Sequence, residues 1–137
     1  MVLVRAFISG FLAVLVFHQV AIALLYSAGI VPVVPYDMSP TAPFGVPGVL
    51  SLSFWGGVWG LVLYWFLRHA AGGAYWLRAL VIGAVGPTAV ALLVVFPLKG
   101  IPVSVGVVVI GLIVNAAWGM GTALLLLAFR KVVPETG

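Results

Sequence analysis

Four long apolar runs decide what this chain can be. They cover residues 4–28, 49–67, 75–96 and 103–129, to within a few residues at each end. A helix needs about 20 apolar residues to cross the ~30 Å hydrocarbon core of a bilayer, and each run qualifies. Inside lipid the backbone must satisfy its own polar groups, so such runs fold as helices. Charge supports the same reading. Lys and Arg number six and Asp and Glu two in 137 residues, whereas roughly a quarter of a soluble domain is charged. Too little charge remains to coat a water-soluble globule, and too much hydrophobicity is present for a disordered chain. With no Cys, a disulfide scaffold and a Cys-based zinc site are excluded. The expected fold is all-α: one antiparallel four-helix transmembrane bundle over residues 1–137.

The positions of the basic residues orient that bundle. Arg5 precedes the first run, Arg68 and Arg78 bracket the link between the second and third, and Arg130 and Lys131 follow the fourth. Four spans place all five on one side and leave Lys99 and Asp37 on the other. The positive-inside rule then puts both termini in the cytoplasm. Tyr64, Trp65, Tyr75 and Trp76 fall at the inner boundary, where an aromatic belt is expected. The first run is too long for the ~7–15-residue apolar core of a signal peptide. The net charge of +4 does not point to nucleic acid, because the basic residues are dispersed between apolar spans. The partners expected are the lipid bilayer and other membrane subunits or a second copy of the chain.

The links differ in kind. Residues 69–74 and 97–102 are short, so the second and third spans, and the third and fourth, are expected to be antiparallel neighbours. Residues 29–48 are long and hold Pro32, Pro35, Pro40, Pro43 and Pro47, which exclude regular helix. This outer loop is apolar. Two readings stand: it lies in the headgroup layer, or it is a stiff platform that docks on a partner or caps the bundle. Pro87 inside the third span is expected to kink it.

Helices in lipid associate where small residues let backbones approach. The second span carries Gly56 and Gly60 in Gly-x-x-x-Gly spacing, the third carries Gly83, and the fourth carries Ala117 and Gly121. These positions are expected to form packing faces, either within the bundle or, at Gly56 and Gly60, towards a second copy.

Polar side chains inside the spans are the candidates for function. His18 lies thirteen residues beyond Arg5, about 20 Å deeper along a helix. Asn115 lies fifteen residues before Arg130, and Ser53 fifteen before Arg68, both about 22 Å deep. His18, Gln19, Ser53 and Asn115 therefore share one layer in the outer half of the bilayer. Unpaired polar groups are costly there, so Asn115 is expected to bond across helices to His18 or Gln19, with Ser53 as a lesser partner. The alternative is an outward-facing His18 that meets a partner or a ligand. Haem between two helices wants a second axial ligand at the same depth, and the other histidine, His69, is at the inner surface. No cofactor and no metal is expected, with a lone His18 ligand to haem or a chlorophyll-type magnesium as the alternative. No nucleophile–base pair, phosphate loop, His-Glu-x-x-His motif or pair of carboxylates is present, so no catalytic residues are expected and the chain is not read as an enzyme. No internal repeat is visible.

Phe7-x-Ser9-Gly10-Phe11-Leu12-Ala13 leading into Phe17-His18-Gln19, then Pro43-Phe44-Gly45-Val46-Pro47 and Phe54-Trp55-Gly56-Gly57, resemble small bacterial inner-membrane proteins with four predicted helices and no characterised activity. The resemblance covers the first half of the chain. It implies a multi-pass protein of the bacterial inner membrane and no activity. The small multidrug-resistance transporters are similar in length, but they use a membrane-embedded Glu in their first helix. The first span here has no carboxylate, so their mechanism does not carry over. Two functional expectations follow: a non-catalytic accessory, assembly or peripheral subunit of a larger membrane complex, or a small homo-oligomeric transporter or flippase whose path passes the polar layer.

Overall fold

A computed structural model of the chain describes residues 1–132. Four helices are long and apolar enough to cross a membrane: α1 (Val2–Ser27), α2 (Gly48–Leu67), α3 (Gly72–Leu98) and α4 (Val105–Val132). α1 widens into a π turn at Val14–His18 and α3 into another at Ala91–Val95. α3 runs through Pro87 and opens into its π turn just beyond. α4 begins two residues later than the hydropathy indicates. Pro102 precedes it, and the Ser104 hydroxyl accepts a hydrogen bond from the Val107 N–H at 3.3 Å, an N-terminal cap for otherwise unpaired donors.

The proline-rich loop over residues 29–48 holds a small antiparallel hairpin, β1 (Pro40–Thr41) and β2 (Val46–Pro47), with Pro40 opposite Pro47 and Thr41 opposite Val46. Gly45, at φ +70°, supplies the left-handed residue that closes its turn. The loop also caps α2. The Gly48 and Val49 N–H groups donate to the Ser39 and Asp37 carbonyls at 2.9 and 2.8 Å, which satisfies two of the donors a helix start leaves free.

Around the bundle the helices run α2, α1, α4, α3. α2 packs along α1, α1 along α4, and α4 along α3. The short link does join α2 and α3, and Arg78 Nη1 caps α2 by donating to the Phe66 carbonyl at 3.1 Å. Beyond that link, however, α2 and α3 touch little. A tight turn makes two helices consecutive, but side-chain packing decides whether they stay together.

Small residues account for the close pairs. Gly10 of α1 lies against Gly56 and Gly60 of α2, so closely that an added Cβ on Gly10 would stand 2.8 Å from the Gly60 Cα. Gly83 of α3 lies against Gly119 of α4, where an added Cβ would stand 2.6 Å from the Gly119 Cα. Gly56 and Gly60 are therefore occupied by the chain's own α1. Of the two readings, packing within the bundle is the one observed at these glycines, and the alternative of a second copy there is set aside. Ala117 and Gly121 do not form one joint either. Gly121 receives the Phe17 ring of α1, Ala117 is half-buried, and the residue that meets Gly83 is Gly119. Two buried hydrogen bonds reinforce this packing: Trp118 Nε1 of α4 donates to the Gly10 carbonyl of α1 at 3.0 Å, joining the two pairs, and the Tyr75 hydroxyl of α3 donates to the Ala123 carbonyl of α4 at 2.8 Å, within one of them. Ala6, Leu63, Leu67, Ala79 and Leu126 fill the core beside them.

Candidate functional site

Beyond this joint, in the half that carries the outer loop, the four helices part around a cavity of about 920 Å³. Each helix contributes a stripe at helical spacing. α1 supplies Val14, His18, Gln19 and Ile22, and α4 supplies Gly111, Val114, Asn115 and Trp118. α2 supplies Leu52, Trp55 and Trp59, and α3 supplies Thr88, Ala91 and Val95. The loop closes the outer end with Val31–Val34, Asp37, Thr41 and Ala42. Both π turns lie in the wall. Such turns insert an extra residue into the helical register.

Trp59 lies against Gly86, with an added Cβ there 3.0 Å from its ring. Past that contact, α2 and α3 face each other across the cavity. Trp55 and Val90 line it from the two sides and are 58% and 42% exposed. The cavity thus opens sideways between α2 and α3, where lipid would stand around a membrane protein.

Three of the four polar residues placed in one layer by depth arithmetic share this cavity: His18, Gln19 and Asn115. Ser53 does not. It is fully buried, and its hydroxyl donates to the Val49 carbonyl of its own helix at 2.7 Å. The expected Asn115 bond to His18 or Gln19 is not formed. Asn115 Nδ2 instead donates to Thr88 Oγ1 of α3 at 2.9 Å. α4 packs along α3, so its amide finds the hydroxyl on that side rather than the imidazole across the space. Gln19 Oε1 accepts the Tyr36 N–H at 2.7 Å. His18 is 9% exposed, and its Nδ1 is enclosed with no hydrogen-bond partner. No hydrogen bond to its ring is formed among the described residues.

Tyr36 is the loop's anchor, and nothing in the sequence marked it as one. Its hydroxyl donates at 2.6 Å to the Leu15 carbonyl, within the π turn of α1. With its N–H on Gln19, the residue is held at both ends and adopts φ +55°. A tyrosine in this left-handed region costs energy unless its surroundings hold it there. The outer loop is therefore latched onto α1 as a cap. At the cavity's outer rim stand one acid and one base, Asp37 and Lys99, both exposed. Hydrogen bonds from Ser39, its side chain and then its backbone N–H, hold the Asp37 carboxyl below its ordinary range.

Among the described residues no group of three or more His, Cys, Asp or Glu side chains is brought together, and His69 is exposed at the opposite end. Any ligand in the cavity would meet one imidazole, one amide pair and aromatic walls. Trp118 and Thr88 belong to the site and were not selected by sequence. Trp118 lies three residues past Asn115 and Thr88 follows the helix-interior Pro87, so a search for stripes around the polar residues would have found the first. Known protein families, curated proteins and solved structures contain no match to this chain.

Proposed function

We propose that this is a multi-pass protein of the bacterial inner membrane, with both termini cytoplasmic, that binds a small lipid-soluble molecule in the outer half of the bilayer. One observation carries the binding reading: the four helices close on each other at one end and enclose a wide, mostly apolar cavity at the other, with a side opening between α2 and α3. Ligand sites of this kind are concave and apolar, with a few placed polar groups. The volume lies within their usual range of about 300–1,000 Å³. A carrier role, with the cavity as part of a path, is one form this function takes.

The test is occupancy. Protein purified in mild detergent is extracted with organic solvent, and its bound small molecules are identified by mass spectrometry. The wild type is expected to retain one class of molecule in stoichiometric amount. Ala91→Trp, which fills the cavity from the α3 side, is expected to lose it while remaining folded. Equal extracts from the two proteins would remove the reading. Orientation is tested separately. A cysteine placed at Thr41 in this cysteine-free chain is expected to react with an impermeant thiol reagent from outside. One at Thr136, outside the described residues, is expected not to.

A second reading, an accessory subunit of a larger membrane complex, is favoured by a different observation. α3 is the least enclosed of the four helices, and its Leu77, Val81 and Val85 form an exposed apolar stripe. Stable partners that co-purify in mild detergent, and are lost on Val81→Trp, would support it.

A further inference from the structure

We infer that the occupant of the cavity carries a planar, oxygen-bearing head group on an apolar tail, the chemistry of quinones and related phenols, and that the head group hydrogen-bonds His18. This deepens the binding reading above and rests on it.

Three features of the cavity narrow the ligand. The first is His18, which lines the cavity with no hydrogen bond to its ring among the described residues. Its Nδ1 is sealed from the space, so Nε2 is the nitrogen an occupant can reach. An occupant that brings an oxygen to Nε2, as hydroxyl donor or as carbonyl acceptor, gives the ring a partner where an unpartnered polar atom is costly. A purely hydrocarbon occupant does not. The second is the tryptophan set: Trp55, Trp59 and Trp118 all line the space. Trp118 is fixed by its bond to Gly10 and Trp59 by its contact with Gly86. Rigid indole faces favour a flat ring, which stacks against them in offset or edge-on geometry. The third is the side opening past Trp55 and Val90, through which a tail reaches lipid while the head stays inside. His18 lies about 20 Å beyond the inner boundary by helical rise, well within the hydrocarbon layer. A phospholipid would hold its phosphate at the rim near Lys99 and set acyl carbon against His18. Asn115 adds a further carbonyl. Its amide nitrogen is engaged by Thr88, while no bond to its Oδ1 is formed among the described residues.

The experiment uses the whole chain in detergent with three probes: a benzoquinone bearing a ten-carbon alkyl tail, decylbenzene, which has the same tail and no oxygens, and dioleoylphosphatidylcholine. The quinone is expected to quench tryptophan fluorescence saturably and to bind more tightly than decylbenzene. His18→Phe is expected to weaken quinone binding about tenfold, as befits one lost hydrogen bond, and to leave decylbenzene binding unchanged. A second readout needs no variant. The chain has two histidines, so with ¹⁵N-labelled histidine the His18 ring signals should shift with quinone and not with decylbenzene, while those of His69 stay still. Unshifted His18 signals, decylbenzene binding as tight as quinone binding, or displacement of quinone by equimolar dioleoylphosphatidylcholine would each overturn the inference and leave the binding reading standing. If no probe binds and Ala91→Trp matches the wild type in its extract, the binding reading itself falls.

Discussion

The two ends of this bundle are built on opposite rules. At the end away from residues 29–48, glycines face glycines, helices lie backbone to backbone, and the core is filled by Leu63, Leu67, Tyr75 and Ala79. At the end that carries residues 29–48 the facing positions are Trp, His, Asn and Val, two helices widen into π turns, and space remains. Without a hydrophobic force between helices in lipid, association depends on contact area and a few hydrogen bonds. The close-packed end supplies both. It therefore holds the four helices while the other end stays open, much as a clamp at one end of a set of rods leaves the far ends free to enclose something.

That contrast can be broken most strongly at its tightest joint. Gly10→Leu drives a side chain into the Gly56 and Gly60 backbone. Neither neighbour can yield by rotating a side chain, so a loss of about 3 kcal/mol or more is expected from overpacking, read as thermal unfolding in detergent. Next is Trp118→Phe, which removes the buried bond to Gly10 and leaves a void, at about 2 kcal/mol in the same measurement. The same kind of enlargement that ruins the close-packed end should be nearly harmless at the cavity end. Ala91→Trp is expected to change stability by under about 1 kcal/mol, because it fills space instead of displacing backbone. A large loss there would show that the cavity end is as tightly committed as the close-packed end.

Smaller effects sharpen the role of the cap. Tyr36→Phe removes the hydroxyl that reaches Leu15, a loss of about 0.5–1 kcal/mol for one partly exposed bond. Faster amide hydrogen exchange across residues 30–41 is the readout, with the helices unaffected. The smallest effect is the pH response of Asp37. Its carboxyl is lowered by Ser39 from an ordinary value of 3.8. A depressed acid stabilises above the unfolded value and loses that contribution as pH falls through the folded one. Exchange in residues 37–41 should therefore quicken only below about pH 3.8, and Asp37→Asn should abolish the response.

Hydropathy and helical rise carried far into this structure. Helix number follows from the four apolar runs, and counting residues along helices of known rise sets His18, Gln19 and Asn115 at levels that one cavity brings together. Lateral pairing does not follow from counting. Ser53 matches the others in depth and yet turns to its own backbone at Val49. Asn115 bonds to Thr88, whose role depends on which neighbour α4 chooses.

Tyr36 is a sharper case. Its hold on Gln19 and Leu15 joins residues seventeen and twenty-one apart in the chain, across a proline-rich segment with no periodicity to read. The four apolar runs by themselves point to four helices long enough to cross a membrane, since a backbone in lipid satisfies its polar groups only within a helix or closed barrel, and five prolines exclude regular helix from residues 29–48. Which helices meet, where they part, and that the loop folds back to cap the opening were decided by tertiary packing. The reason is steric. Glycines set at Gly10 and Gly60, and again at Gly83 and Gly119, admit only certain neighbours at close range, and the cavity is the space those contacts leave.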